Sequence, residues 1–239
     1  MFNIKEKFEF LEDGVDFPFY NDIPKLSTKE WSILAVSAVI FIVLCCIELP
    51  KFIHALLYCF VLLIPALYIC KGNYNLFFKK PRLKDFKTII LCFIGYLIYS
   101  IIIGFILTHF GYHVVGDSNG ALATSMMFYV SLFIQLVGEE LFKVFILLIV
   151  MYLVYKKTKN RSKAIYAGIL TTLIIFGIAH FSAYSGRILQ IILIQGFGTI
   201  FNLYAYMKTK NVVVSYLVHI LIDLSSFSFI TVNHIAPMC

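Results

Sequence analysis

Residues 138–146 read GEELFKVFI in one-letter code, and their reading decides the fold. Two adjacent carboxylates, Glu139 and Glu140, and one cation, Lys143, stand inside a long apolar run. An ionisable side chain at the centre of a bilayer costs roughly 2.5 to 3.5 kcal/mol even on the most lenient insertion scale. Either the run is not in a membrane, or these charges find partners or chemistry there that offset the cost.

The rest of the chain answers the first alternative. Of 239 residues, 61% are hydrophobic and 14% charged, against about 25% charged in ordinary soluble domains. Apolar runs near the 20 residues that a helix needs to cross the hydrocarbon core fall at 31–49, 52–70, 88–110, 123–155, 164–184, 188–207 and 212–232. The expected fold is therefore all-α, a polytopic membrane helix bundle of about seven transmembrane helices. The fourth run is too long for a simple crossing and has to tilt, break or extend into the basic segment after it. The first run comes too late, behind too acidic a segment, to be a cleaved signal peptide.

The net charge of +7 resolves into clusters that flank the runs, so it reads as a topology signal and excludes a nucleic-acid-binding face. Of 20 Lys and Arg, six lie in 71–87, five in 156–163 and two in 208–210, while the intervening loops hold almost none. By the positive-inside rule these clusters are cytoplasmic, which puts the N-terminus inside and the C-terminus outside. Residues 1–30, acidic and rich in Phe, form a cytoplasmic or interfacial segment too short to bury a core of its own, expected to lie on the surface. Residues 31–239 form one transmembrane domain with a catalytic core at about 123–232. The six cysteines show no metal-knuckle or redox spacing and read as small core residues, and Cys239, the last residue, does not make a C-a-a-X lipidation signal.

After Asp117 the chain has three acidic residues, Glu139, Glu140 and Asp223, each within a predicted span. His180 and His219 also lie in spans. Residues four apart share a helix face, which pairs Phe176 with His180, His219 with Asp223, and Glu139 with Lys143. Glu140 points about 100° away from Glu139, so the two carboxylates cannot serve one role. A buried polar network that holds helices together explains any one of these residues. All of them together, on three spans, exceed what helix adhesion requires.

A carboxylate in a partly dry site can take a proton from water, and a nearby imidazole can share it. A second imidazole can donate to a developing oxyanion. That is equipment for hydrolysing a peptide bond without a covalent intermediate. The same groups offer a zinc site, with Glu139, His180 and His219 as ligands if a metal is present, so the cofactor is either none or zinc. Other membrane-protease patterns fail: there is no HExxH, no serine in a GxSG setting, and Gly196-Phe-Gly198-Thr199 ends in Thr where an intramembrane aspartyl protease needs Asp.

These residues resemble the CPBP family, the CAAX-protease and bacteriocin-processing membrane proteins also called Abi proteins. The family pattern is Glu-Glu-x-x-x-Arg, then Phe-x-x-x-His, then His-x-x-x-Asn or His-x-x-x-Asp, each on its own span. The counterparts are Glu139-Glu140, Phe176 with His180, and His219 with Asp223, in order and at the right spacing. The resemblance implies an intramembrane endopeptidase in which Glu139 is the general base and His180 shares its proton. It assigns His219 and Asp223 to the oxyanion and makes Glu140 a supporting carboxylate. The family arginine falls at Val144, and the nearest cation is Lys143, expected outside the cavity or at its edge, paired with Glu140 or snorkelling. The substrate is a peptide or a membrane protein, in contact with lipid. An Ile-, Lys-, Phe- and Asn-rich chain points to an AT-rich bacterial genome, hence to bacteriocin or signal-peptide processing, self-immunity or regulation of a membrane partner. The rival is a noncatalytic immunity or regulatory partner with the same fold.

Overall fold

In the computed structural model, residue 10 and residues 14–116 and 125–235 are described, with side chains as far as 227. The remainder of the N-terminal segment, the start of the fourth apolar run at 123–124, the end of the seventh run's side chains and Cys239 lie outside the described residues. There is no strand among the described residues, and the architecture is all-helical.

The long helices are α1 (Thr28–Leu44), α2 (Lys51–Cys70), α3 (Leu83–His109), α4 (Met126–Thr158), α5 (Arg161–Ala179), the composite α6 (Ile188–Thr209) and α7 (Val212–Ile235). Of these, α2, α3, α5 and α6 are long and apolar enough to cross a membrane. These apolar helices point to an integral membrane protein. α3 turns Ile90, Ile94, Ile98, Ile101 and Phe105 outward, an apolar face that suits lipid.

The helix limits follow from caps. Ser27 starts α1, its hydroxyl accepting from the Glu30 amide at 3.3 Å while the Glu30 carboxylate accepts from the Ser27 amide at 2.6 Å, a reciprocal capping box. That draws the helix back from the expected start at 31. α4 and α5 are joined through Lys159, in the left-handed region at φ 52°, and Asn160, which caps α5 by accepting from the Lys163 amide at 2.9 Å. So short a connection makes α4 and α5 antiparallel neighbours.

α4 runs unbroken for 33 residues, so the overlong fourth run is resolved by extension into the basic segment. It is also the central helix, packed against α1, α2, α5 and α7 and, more lightly, α6. Its middle, from Gly138 through Phe145, is buried on all sides. Gly138 makes this possible, because a Cβ there would stand 2.3 Å from the Tyr58 carbonyl oxygen of α2. The close crossing of α2 and α4 thus needs glycine immediately before Glu139.

Two expectations are corrected. The fifth run ends at Ala179, not 184, because residues 180–187 turn, with Ser185 and Gly186 at positive φ. The N-terminal segment does not lie on the surface in its described part. Phe10, Phe17, Phe19 and Tyr20 are buried in the main core, packed against Tyr204, Tyr206, Phe77 and Tyr155. Large aromatic rings gain more from burial than the short segment could provide by itself. Asp16 fastens this segment by accepting from Arg161 Nη2 at 2.6 Å and from the Tyr20 hydroxyl at 2.7 Å.

Candidate active site

Glu139, His180, His219 and Asp223 all line one cavity of about 1080 Å³, to which all seven long helices contribute. Glu140 and Lys143 are not part of its lining. Consecutive glutamates are therefore split by the helical turn: one carboxylate faces the cavity and the next faces the protein interior.

The interior cluster is fully partnered. Glu140 is 1% exposed and so is Lys143, whose Nζ pairs with Glu140 Oε1. The same oxygen lies 2.8 Å from His219 Nδ1, and the other accepts from the Ser215 hydroxyl at 2.6 Å. Lys143 Nζ also lies 3.4 Å from His219 Nδ1 and 4.6 Å from the Phe176 ring centroid. A carboxylate only accepts, so Nδ1 of His219 carries the proton that meets Glu140, and Nε2 is presented to the cavity.

At Nε2 two carboxylates converge. Asp223 Oδ1 is 3.7 Å away and Glu139 Oε2 is 3.9 Å away. Glu139 Oε1 accepts from Gln135 Nε2 at 2.6 Å, one turn earlier on α4. Both carboxylates thus stand at ion-pair distance from the one imidazole nitrogen that faces the cavity.

His180 is the residue that follows α5, not an interior position of a span, and it is half-buried. Its Nδ1 lies 2.9 Å from the Phe176 carbonyl. A carbonyl accepts, so Nδ1 is the protonated nitrogen and Nε2 keeps its lone pair. Phe176, 2% exposed, stands between the two histidines, 4.7 Å from the His180 ring and 6.2 Å from the His219 ring.

The metal set does not assemble. Among the described residues no group of three His, Cys, Asp or Glu side chains is placed to hold an ion. The reason is local: the three proposed ligands leave three different helices, and the histidine nearest Glu139 is His219, already committed to Glu140 through Nδ1. Gln135, Ser215 and Asn202 belong to the site or its support, and the sequence analysis missed all three. Gln135 and Ser215 stand four residues before Glu139 and His219, a helical spacing visible in the sequence. Two cysteines also differ from their reading as core residues, since Cys45 and Cys46 line the cavity, whereas Cys59, Cys70 and Cys92 are buried and free.

Residues 120–225 match the Rce1-like family, the type II CAAX prenyl endopeptidases. The matched stretch carries Glu139, Glu140, Phe176, His180, His219 and Asp223, so the kinship with CAAX-type membrane proteases read from three motifs holds where those motifs lie. No curated protein and no solved structure matches the chain. Within the Rce1-like stretch, the position of the family arginine is Val144, 1% exposed in the core, and the buried cation next to Glu140 is Lys143. Lys143 thus stands outside the cavity and paired with Glu140, the first of the alternatives expected for it.

Proposed function

We propose that the protein is an intramembrane endopeptidase that hydrolyses a peptide bond with a water activated by Glu139. The observation that carries this reading is the convergence of Glu139, His180, His219 and Asp223 on one cavity inside the Rce1-like stretch. In this reading all seven long helices cross the membrane, with the three basic clusters and the N-terminus on the cytoplasmic side.

Glu139 takes the proton of the attacking water, and Gln135 keeps its other oxygen occupied, which fixes the orientation of the basic oxygen. His219 Nε2 and Asp223 Oδ1, 3.7 Å apart, stand next to it. With Nδ1–H anchored on Glu140, a protonated His219 directs its Nε2–H at the oxyanion that develops on the scissile carbonyl. Asp223 is suited to this only when protonated or paired with His219, because a bare carboxylate repels an oxyanion. His180, its Nδ1 donating to the Phe176 carbonyl, takes up through Nε2 the proton that Glu139 removed from the water and returns it to the nitrogen that leaves as the C–N bond breaks. Glu140, Lys143 and Ser215 orient His219 without touching substrate.

The family match supports a prenylated C-a-a-X peptide as the first substrate to test. In a bacterial host without prenylation, bacteriocin or signal-peptide precursors take its place. The reading is tested by comparing membrane peptidomes of host cells that carry the wild type or Glu139→Gln at matched expression. A product that disappears in the variant supports hydrolysis and names the substrate. Identical peptidomes, with a host phenotype that still requires the protein, transfer the case to the noncatalytic partner.

A further inference from the structure

Among the described residues, three carboxamide side chains are each 2% exposed: Gln190, Asn202 and Asn211. Two of them do the same thing. Gln190 accepts from the Val115 amide at 2.9 Å and donates to the Val115 carbonyl at 2.7 Å. Asn211 accepts from the Lys79 amide at 3.0 Å and donates to the Lys79 carbonyl at 2.9 Å. Each clamps the N–H and C=O of one residue in an extended segment, as a neighbouring strand would, because a primary amide offers one acceptor and two donors in a plane.

Asn202 is the third, and its Oδ1 is buried without a hydrogen-bond partner. Its side chain lines the cavity that holds Glu139, His219 and Asp223. A buried amide oxygen without a partner is destabilising, and such a group in a native protein calls for an explanation in function. Its position has one. It lies on α6 immediately after the π-helical and 3₁₀ turns at 191–199, irregular helix of the kind found at functional sites.

We propose that Asn202 is a substrate-positioning residue that clamps the N–H and C=O of one backbone residue of an extended peptide in the cavity. This rests on the protease reading and specifies how the substrate is held: by its main chain, next to the scissile bond, without regard to the side chain at that position.

The test uses the full-length protein in detergent and a farnesylated C-a-a-X peptide, made as the all-amide form and as forms with an ester replacing one amide on either side of the scissile bond. Asn202→Leu removes the carboxamide at nearly constant volume. We expect its KM to rise at least about tenfold with kcat little changed, as the loss of both clamp hydrogen bonds demands, while its thermal midpoint stays level or rises. One ester form should lose a similar factor with the wild type and nothing further with Asn202→Leu. Equal ester losses in both proteins, or a marked fall in thermal midpoint, would make Asn202 structural and overturn the proposal. A wild type that cleaves none of these peptides overturns the protease reading for this substrate class, and the clamp with it.

Discussion

At the scale of single residues, the buried ion pair explains how this apolar helix tolerates its charges. Lys143 and Glu140 are desolvated together, and Glu140 is further satisfied by His219 and Ser215. Removing one partner strands the other, so Lys143→Met should destabilise the protein by about 3 to 5 kcal/mol, whereas the double change with Glu140→Gln should recover most of that loss. Thermal unfolding in detergent of the three variants checks this, and a double variant no better than the single one would show that the pair does not act as a unit. Lys143→Arg is not conservative here: a planar fork cannot fit a cavity-free space built for one ammonium, and it should lower stability too. The ionisable residues that line the cavity were legible in the sequence because such groups stand out in apolar runs. What sequence could not give was direction. Glu139 and Glu140 are chemically identical, and only the crossing of α4 with its neighbours decides which one faces the cavity. The closest histidine to Glu139 was likewise hidden, since helix spacing reports neighbours on one helix and His219 reaches Glu139 from another.

At the scale of elements, the site depends on how closely α4 can approach α2. Gly138 has no room for a side chain against the Tyr58 carbonyl, so Gly138→Ala should push the helices apart and cost about 1 to 3 kcal/mol. Because Glu139 is the next residue, activity should fall more than the fraction unfolded accounts for. Measuring turnover per folded molecule separates the two effects, and unchanged turnover would show that the crossing does not set the position of Glu139. Helix existence followed from hydropathy, but ends did not. The capping box at Ser27 moved α1, and the turn after Ala179 put His180 at a helix terminus. Nothing in the apolar run of α6 foretold its π and 3₁₀ turns, because such irregularities follow from packing against α5, where Gly177 and Gly196 come close enough that a Cβ on Gly177 would lie 2.9 Å from the Gly196 Cα.

At the scale of the whole molecule, the described N-terminal segment is part of the bundle's core, held by aromatic packing and by Asp16 on Arg161. Burial pushes the Asp16 carboxyl up, but the Arg161 guanidinium and the Tyr20 hydroxyl outweigh it and hold the group below the usual carboxylate range. The folded value is thus lower than the unfolded one. Its contribution is complete above the unfolded value and is lost as pH falls through the folded value. Asp16→Asn should therefore lower the thermal midpoint at about pH 7 and make progressively less difference toward about pH 3. A pH-independent difference would trace the effect to packing instead. The segment's role was missed because aromatic residues interleaved with acids look like an interfacial pattern, and burial depends on partners such as Tyr204 and Tyr206 that lie nearly 200 residues away in sequence.

The central claim is that the cavity-facing carboxylate, and not its buried neighbour, activates water. The most direct test is peptide cleavage by purified full-length protein, with Glu139→Gln compared to the wild type at equal folded fraction. The account predicts that Glu139→Gln keeps its thermal midpoint, still binds peptide, and loses at least about a thousandfold in kcat, within the range for removal of a general base. Cleavage by Glu139→Gln at close to the wild-type rate would contradict it.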